Sequence, residues 1–333
     1  MSEGDRRIRV VALGGTIAMA AQDGRAGVAP ALDADALVHA VPGLQGLARI
    51  ETESFARLPG AHLTLPDLLR LAHRIKQLFD DGVEGVVVTQ GTDTIEESAM
   101  ALDLLLAADQ PVVVTGAMRD PAQPGADGPA NLRNAVLVAA SDRARGMGVL
   151  VTMNDEIHAA RFVRKAHASR PSAFASAGAG PVGWTAEERV RIPLRLSGRV
   201  LVELPPDAKT IAPVALVTAA LGDDGRLLRT LPGHGYEGVV VAGFGVGHVA
   251  ECMVEDLTAL ARDMPVVLAS RTGSGETFTG TYGFPGSEQD LLARGLIPAG
   301  VLAAPQARVL LALAMSAGWR RTSIAAAYDA LSG

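Results

Sequence analysis

Thr16, Thr92 and Lys165 are the residues whose type and setting could carry covalent chemistry. Thr16 sits in Gly14-Gly15-Thr16-Ile17-Ala18, directly after the apolar run Val10-Val11-Ala12-Leu13. Thr92 sits in Gly91-Thr92-Asp93-Thr94, directly after the apolar run Gly85 to Thr89. Ligands of open α/β sheets bind outside the carboxyl ends of the strands, which is where both threonines fall. A threonine hydroxyl becomes a nucleophile when a neighbouring base takes its proton. Lys165 is the candidate base. Lys76, Lys165 and Lys209 are the only lysines among 30 basic residues, and lysine can give up its proton where arginine effectively cannot.

Local readings of the same residues remain open. Glycine turns after strands are common, and these glycines are needed wherever the backbone takes positive φ or meets a ligand closely. Asp93 with Glu96, or Thr94 with Glu97, has the spacing of a capping box at a helix start. Free N–H groups at such a start also suit an oxyanion or a carboxylate. A lone lysine on a polar segment is more often simply solvated.

These residues need a scaffold, and the hydrophobic pattern supplies one. Val10 to Leu13, Gly85 to Thr89, Val112 to Gly116 and Val149 to Met153 read as buried parallel strands. Leu65 to Phe79, Ile95 to Ala108 and Ala130 to Ala140 carry helical spacing between them. Alternation of this kind implies βαβ crossovers and a helix-covered sheet. After Trp184 the pattern changes. Arg189 to Leu196 and Arg199 to Glu203 read as strands joined at Ser197-Gly198, and Pro205-Pro206-Asp207 breaks regular structure. A second series follows, with strands Val214 to Thr218, Gly238 to Ala242 and Pro265 to Ser270 and helices Glu251 to Asp263 and Ala304 to Met315. The expected fold is α/β in two domains: a larger N-terminal helix-covered sheet at residues 1–204, and a smaller C-terminal parallel-sheet domain at 213–333. The linker lies at about 189–212.

Composition narrows the function classes. The chain has 333 residues, 48% hydrophobic and 20% charged, with a net charge of −6. That is globular composition without the basic field that nucleic acid or an anionic membrane surface requires. Cys252 is the single cysteine, which rules out an intrachain disulfide and a thiolate metal cluster. The seven histidines, His158 and His167 among them, lack metal-ligand spacing. No run reaches the roughly 18 apolar residues of a membrane span, and the polar start, Met1 to Arg9, does not resemble a secretory signal. A cytoplasmic location is the expectation. No G-x-S-x-G elbow occurs. Gly245-Val246-Gly247-His248-Val249-Ala250 fits the loose dinucleotide form G-x-G-x-x-A and is the rival reading from another class.

Several blocks taken together resemble the bacterial-type asparaginase/glutaminase family. They are Gly14 to Ala18, Gly91 to Glu97, Gly116-Ala117-Met118-Arg119, Ala126-Asp127-Gly128-Pro129, and Asn154-Asp155 with Arg161 and Lys165. The likeness continues to Ser270-Arg271-Thr272-Gly273 and Ala307 to Leu311, so it spans nearly the whole chain. The resemblance implies hydrolysis of a small amino-acid amide through an acyl-enzyme, without a cofactor or metal. Thr16 then corresponds to the nucleophile, Lys165 to the base, and Thr92 to a proton relay or alternative nucleophile. Asp93 corresponds to the residue holding the substrate amino group. Substrate-binding positions fall at Gly15, Gly60, Ala61, His62, Gly91 and Ala117. Family members are typically homotetramers in which paired subunits complete each site; His248 and Glu276 are the matching contributors from a partner subunit.

Three departures bear on substrate. The family's loop tyrosine has no counterpart in Ala20 to Leu37. Its carboxylate-binding serine falls near Gly60, where Pro59-Gly60-Ala61-His62 offers backbone N–H groups and His62 instead. His248 stands where the family carries an asparagine, and Glu276 is the nearest acid after the Ser-Arg motif. The expectation is retained amide chemistry with weakened or changed specificity for asparagine. The alternative is an asparaginase-fold protein with another small amide substrate or a ligand-sensing role.

Overall fold

Near-continuous runs of Val, Leu and Ile form strands buried on both faces, and the polar, glycine-rich ends of those strands form the turns between layers. A computed structural model describes residues 5–15, 17, 19–21, 28–30, 33–205, 208 and 210–332. The chain divides into two compact units, Met1–Leu196 and Ser197–Gly333.

The first unit contains strands β1 (Arg7–Ala12), β2 (Met19–Ala21), β3 (Val28–Pro30), β4 (Arg49–Ser54), β5 (Gly85–Thr89), β6 (Val112–Thr115) and β7 (Val149–Met153). Shorter strands follow: β8 (Glu156–Ala159), β9 (Arg164–Lys165), β10 (Phe174–Ala175), β11 (Gly183–Ala186) and β12 (Arg189–Arg191). Its helices are α1 (Ala34–His39), α2 (Leu65–Asp80), α3 (Ile95–Leu105) and α4 (Gly128–Ala140). Eight strands form one sheet in the order β12-β11-β8-β7-β6-β5-β1-β4. The five from β7 to β4 are parallel, and β8, β11 and β12 extend the sheet antiparallel.

Chain order reverses at β1, since β4 lies on one side of it and β5 on the other. The carboxyl ends of β1 and β5 therefore flank a topological switch point, the place where open sheets leave a ligand crevice. Register sharpens this. Ser54, Ala12, Thr89 and Thr115 form one row across β4, β1, β5 and β6, so four turns leave the sheet side by side.

Helix α4 buries Leu132, Ala135, Val136 and Ala139 with Val10, Val87, Val113 and Leu150 of the sheet, and α1 adds Leu37 and Val38. The alternate strand residues Val11, Val86, Val88 and Val114 are as fully buried, and α3 packs against β6 and β7. Helix α2 starts at a complete capping box, with Thr64 accepting from the Asp67 N–H and Asp67 accepting from Thr64.

The second unit has four parallel strands, β13 (Val214–Thr218), β14 (Gly238–Gly243), β15 (Val266–Ser270) and β16 (Ile297–Pro298), in that spatial order. Its helices are α5 (Arg226–Thr230), α6 (Val254–Asp263), α7 (Glu288–Ala293), α8 (Ala304–Ser316) and α9 (Arg321–Ser332). Val239, Val241, Val266 and Leu268 pack with Leu257, Leu260 and Ala261 of α6 and Leu291 of α7.

The expected strand pair at 189–203 is only partly formed. Arg189–Arg191 pairs with β11, but among the described residues no strand lies between there and β13. Pro193 has no N–H to continue the ladder, which is sufficient to end it.

His158 on β8 is wholly enclosed, with Nδ1 2.9 Å from Ser176 Oγ and Nε2 3.5 Å from Glu156 Oε2. Burial pushes its imidazole down to about 4 from the ordinary 6.5. The unfolded chain then binds a proton that the native state refuses. Stability is therefore complete above pH ~6.5 and falls as pH drops toward 4, by up to about 1.4 kcal/mol per pH unit. Urea midpoints measured from pH 7 to 4 should show this slope, and His158→Gln should flatten it. An equal slope in the variant would contradict the assignment.

Candidate active site

The turns that leave the β4–β1–β5–β6 row meet backbone against backbone. Gly14 and Gly15 both have positive φ, +103° and +85°. A Cβ on Gly15 would stand 2.1 Å from the Gly91 nitrogen, one on Gly91 2.6 Å from the Gly60 nitrogen, and one on Gly116 2.7 Å from the Gln90 oxygen. Glycine at these places is a requirement of close approach as much as of conformation. Gln90, fully buried, braces the turn through Nε2, which donates to Ser98 Oγ at 3.1 Å and Gly91 O at 3.3 Å.

Thr92 to Thr94 form a single 3-10 turn that runs straight into α3. Neither expected capping box closes the start of that helix. Thr94 occupies the N-cap without a side-chain cap bond, and its hydroxyl donates to Gly60 O at 2.9 Å instead. The Glu96 carboxylate is likewise diverted, accepting the Lys165 backbone N–H at 2.9 Å. Tertiary partners have displaced the local option.

The Lys165 side chain reaches back to the same turn. Nζ donates to Thr92 Oγ1 at 2.9 Å and to Asp93 Oδ1 at 2.7 Å. Thr92 is buried and the Lys165 side chain nearly so, whereas the Asp93 side chain is 63% exposed and open to a ligand. Burial pushes the Glu96 carboxyl above its usual range, against the lowering influence of the Lys165 N–H and the Arg164 and Lys165 charges. The cluster can pass a proton between a buried hydroxyl and an amine, with an exposed carboxylate beside them.

Thr16 lies outside the described residues. Gly60, Ala61 and His62 form a 3-10 turn in which the His62 N–H already donates to Pro59 O at 2.9 Å. The Gly60 and Ala61 N–H groups are the remaining donors there. Ala117 is fully buried, its methyl group facing Gly128. Around it the other motif residues form a support. Asp127 accepts the Met118 and Arg119 N–H groups at 2.9–3.1 Å, and Asn131 joins the ends of β6 and β7 by donating to Gly116 O and accepting from Asn154 N–H.

His248 and Glu276 lie in the second unit. His248 Nε2 is 3.1 Å from Glu288 Oε2, and its ring meets Tyr282 and Phe284 edge-on with centroids at 4.9 and 5.0 Å. Glu276 lines an open cavity of ≈ 650 Å³ with Thr277 and Asp329. Glu288 escaped sequence reading. It is completely buried, and although burial opposes ionisation, the Tyr282 and Thr281 N–H groups and His248 bring its carboxyl below the ordinary value. Its place in an ordinary helix start, Ser287-Glu288, carried no signal. Glu96 enters the sequence reading as a capping residue and as one member of the Gly91 to Glu97 block, with no role of its own at the site.

The dinucleotide reading of Gly245 to Ala250 is overturned. Phe244 and His248 exchange backbone hydrogen bonds at 2.7 and 2.9 Å, which closes the turn on itself, and α6 begins only at Val254. A phosphate-binding fingerprint needs the glycine turn to open directly into a helix N-terminus. Among the described residues no group of three His, Cys, Asp or Glu side chains could hold a metal ion, and no helix is long and apolar enough to cross a membrane.

Comparison with known proteins extends over both units. Residues 7–197 match the family model "Asparaginase, N-terminal", and residues 213–328 match "Glutaminase/Asparaginase C-terminal domain". The chain is 34% identical over 314 residues to an L-asparaginase of Bacillus licheniformis, covering 94% of this chain and 96% of that protein. It is 35% identical over 277 residues to a glutaminase-asparaginase of Pseudomonas fluorescens biotype A, covering 80% and 75%. Among solved structures, a probable cytoplasmic L-asparaginase from Campylobacter jejuni superposes with a TM-score of 0.89 at 34% identity, over 98% of this chain and all of that one.

Proposed function

Because this chain belongs to the asparaginase family, we propose that it hydrolyses the side-chain amide of L-asparagine to aspartate and ammonia, and that glutamine or related small amides also serve. The observation that carries this reading is the contact of Lys165 Nζ with Thr92 Oγ1 and Asp93 Oδ1 at the switch point of the sheet.

In this mechanism a threonine Oγ attacks the amide carbon and its proton passes to the neutral Lys165 amine, directly or through Thr92. The tetrahedral intermediate collapses, the amide nitrogen takes that proton from Lys165 and leaves as ammonia, and an acyl-threonine ester remains. Lys165, neutral again, takes a proton from water, which hydrolyses the ester, and returns it to the departing threonine oxygen. Thr16 is the assigned acyl acceptor, with Thr92 as relay or alternative acceptor. Backbone N–H groups near Thr92 stabilise the oxyanion, each contributing about 3 kcal/mol. Asp93, held through one oxygen by Lys165, keeps the other for the substrate ammonium. Gly15, Gly60, Ala61, His62, Gly91 and Ala117 frame the substrate.

The first unit, Met1–Leu196, is assigned the chemistry. The second unit contributes His248 and Glu276 to a neighbouring subunit within a cytoplasmic homotetramer. Gly60 in place of a serine, and His248 in place of an asparagine, favour a substrate range wider than asparagine. Ammonia release from asparagine, glutamine and related amides tests this, with Thr16→Ala and Thr92→Ala as controls. Fast turnover of asparagine alone would refute the wider range. Unchanged release in both variants would refute the threonine assignment.

A further inference from the structure

We infer that Glu96 is a positioning residue, which clamps the Lys165 backbone and so sets the reach of Nζ to Thr92 Oγ1. The inference rests on the proposed role of Lys165. Lys165 lies on β9, a two-residue strand that among the described residues pairs with β10 alone, through Phe174↔Lys165 and Ala175↔Arg164. An isolated two-stranded ribbon of that length is marginal by itself. A lysine side chain carries four rotatable bonds, so a loosely held Cα would leave Nζ dispersed relative to the hydroxyl.

Glu96 removes that freedom at the backbone. Its Oε2 accepts the Lys165 N–H at 2.9 Å, a charge-assisted bond of the stronger kind. Other roles fit the carboxylate less well. It closes no capping box, since α3 starts from an N-cap at Thr94 and not at Asp93, which leaves Glu96 at the second helical position and not at the third that a box requires. Arg164 Nε stands 4.0 Å away, too far for a hydrogen bond. A mostly buried acid is expensive to keep for one N–H, and burial indeed raises its pKa. Thr92, Asp93 and Glu96 also lie on one continuous turn-and-helix segment. Both ends of Lys165 are thus fixed to a single rigid element, Nζ by the first two residues and the backbone by the third.

Steady-state ammonia release by the full-length protein tests this, using E96Q, E96A, E96D, K165A and the double variant E96A/K165A, each checked for folding by its melting curve. E96Q keeps an oxygen that can accept the N–H and should hold kcat near wild type. E96A should lower kcat roughly 10- to 100-fold, as for a catalytic group displaced by about 1 Å, with KM unchanged. In the K165A background the same substitution should remove nothing further. Wild-type kcat in E96A, a loss expressed in KM, or losses that multiply in the double variant would each overturn the inference. Should E96A fail to fold, E96D carries the test, because its carboxylate is one methylene too short to hold β9 in place. E96D then has to lower kcat alone. Wild-type rates in K165A would instead overturn the functional reading.

Discussion

Lys165→Ala is expected to slow ammonia release from asparagine by about 10³-fold, within the range for removal of a positioned general base. The reason is geometric. Nζ is the amine held against Thr92 Oγ1, at 2.9 Å, and against Asp93 Oδ1, at 2.7 Å, and alanine leaves the hydroxyl without an acceptor for its proton. Lys165→Arg is the sharper variant. It keeps a cation beside Asp93 but cannot accept a proton near neutral pH, so it should be nearly as slow as the alanine variant. Initial rates of ammonia formation, compared with melting curves for folding, decide the matter. Substantial activity in Lys165→Arg would mean that the cation, and not proton transfer, is what the reaction uses.

Gly15→Ala should be among the most damaging single substitutions in the chain. Its φ of +85° costs a non-glycine residue about 1–3 kcal/mol. Its new Cβ would stand 2.1 Å from Gly91 N and 2.3 Å from Gly91 Cα, backbone atoms that cannot rotate away. Overpacking of this kind adds about 1–3 kcal/mol or more, against a total stability of about 5–15 kcal/mol. Two other glycines separate the contributions. Gly91 lacks a positive φ but would meet Gly60 N at 2.6 Å, so Gly91→Ala should show the contact cost alone. Gly43 has φ +72° with nothing within 4 Å, so Gly43→Ala should show only the conformational cost. Denaturant midpoints should fall in the order Gly43→Ala least, Gly91→Ala more, Gly15→Ala most. Near-equality of Gly15→Ala and Gly43→Ala would disprove the close-approach argument.

Burial on both faces explains which elements were legible. Gly85–Thr89, Val149–Met153 and Val214–Thr218 form over the limits that their apolar runs mark. β4 reads Arg-Ile-Glu-Thr-Glu-Ser and carries no such signal, because it is an edge strand that satisfies its charges sideways. Glu51 pairs with Arg7 and Glu53 with Arg74. The strand is nonetheless essential to the site, since it places β1 inside the sheet and brings Gly60 to Gly91.

By itself the sequence determined the alternating α/β pattern, the family and the residue types at the strand ends, because burial and turn chemistry are local properties of a chain. Only the tertiary structure decided that Lys165 meets Thr92 and Asp93 from 72 or 73 residues away. It alone diverted Glu96 and Thr94 from the helix cap to Lys165 and Gly60, closed the Gly245 turn against a dinucleotide, and buried Glu288 beside His248. Each of these outcomes depends on which partner wins a hydrogen bond, and that competition is settled by distances that exist only once the chain has folded.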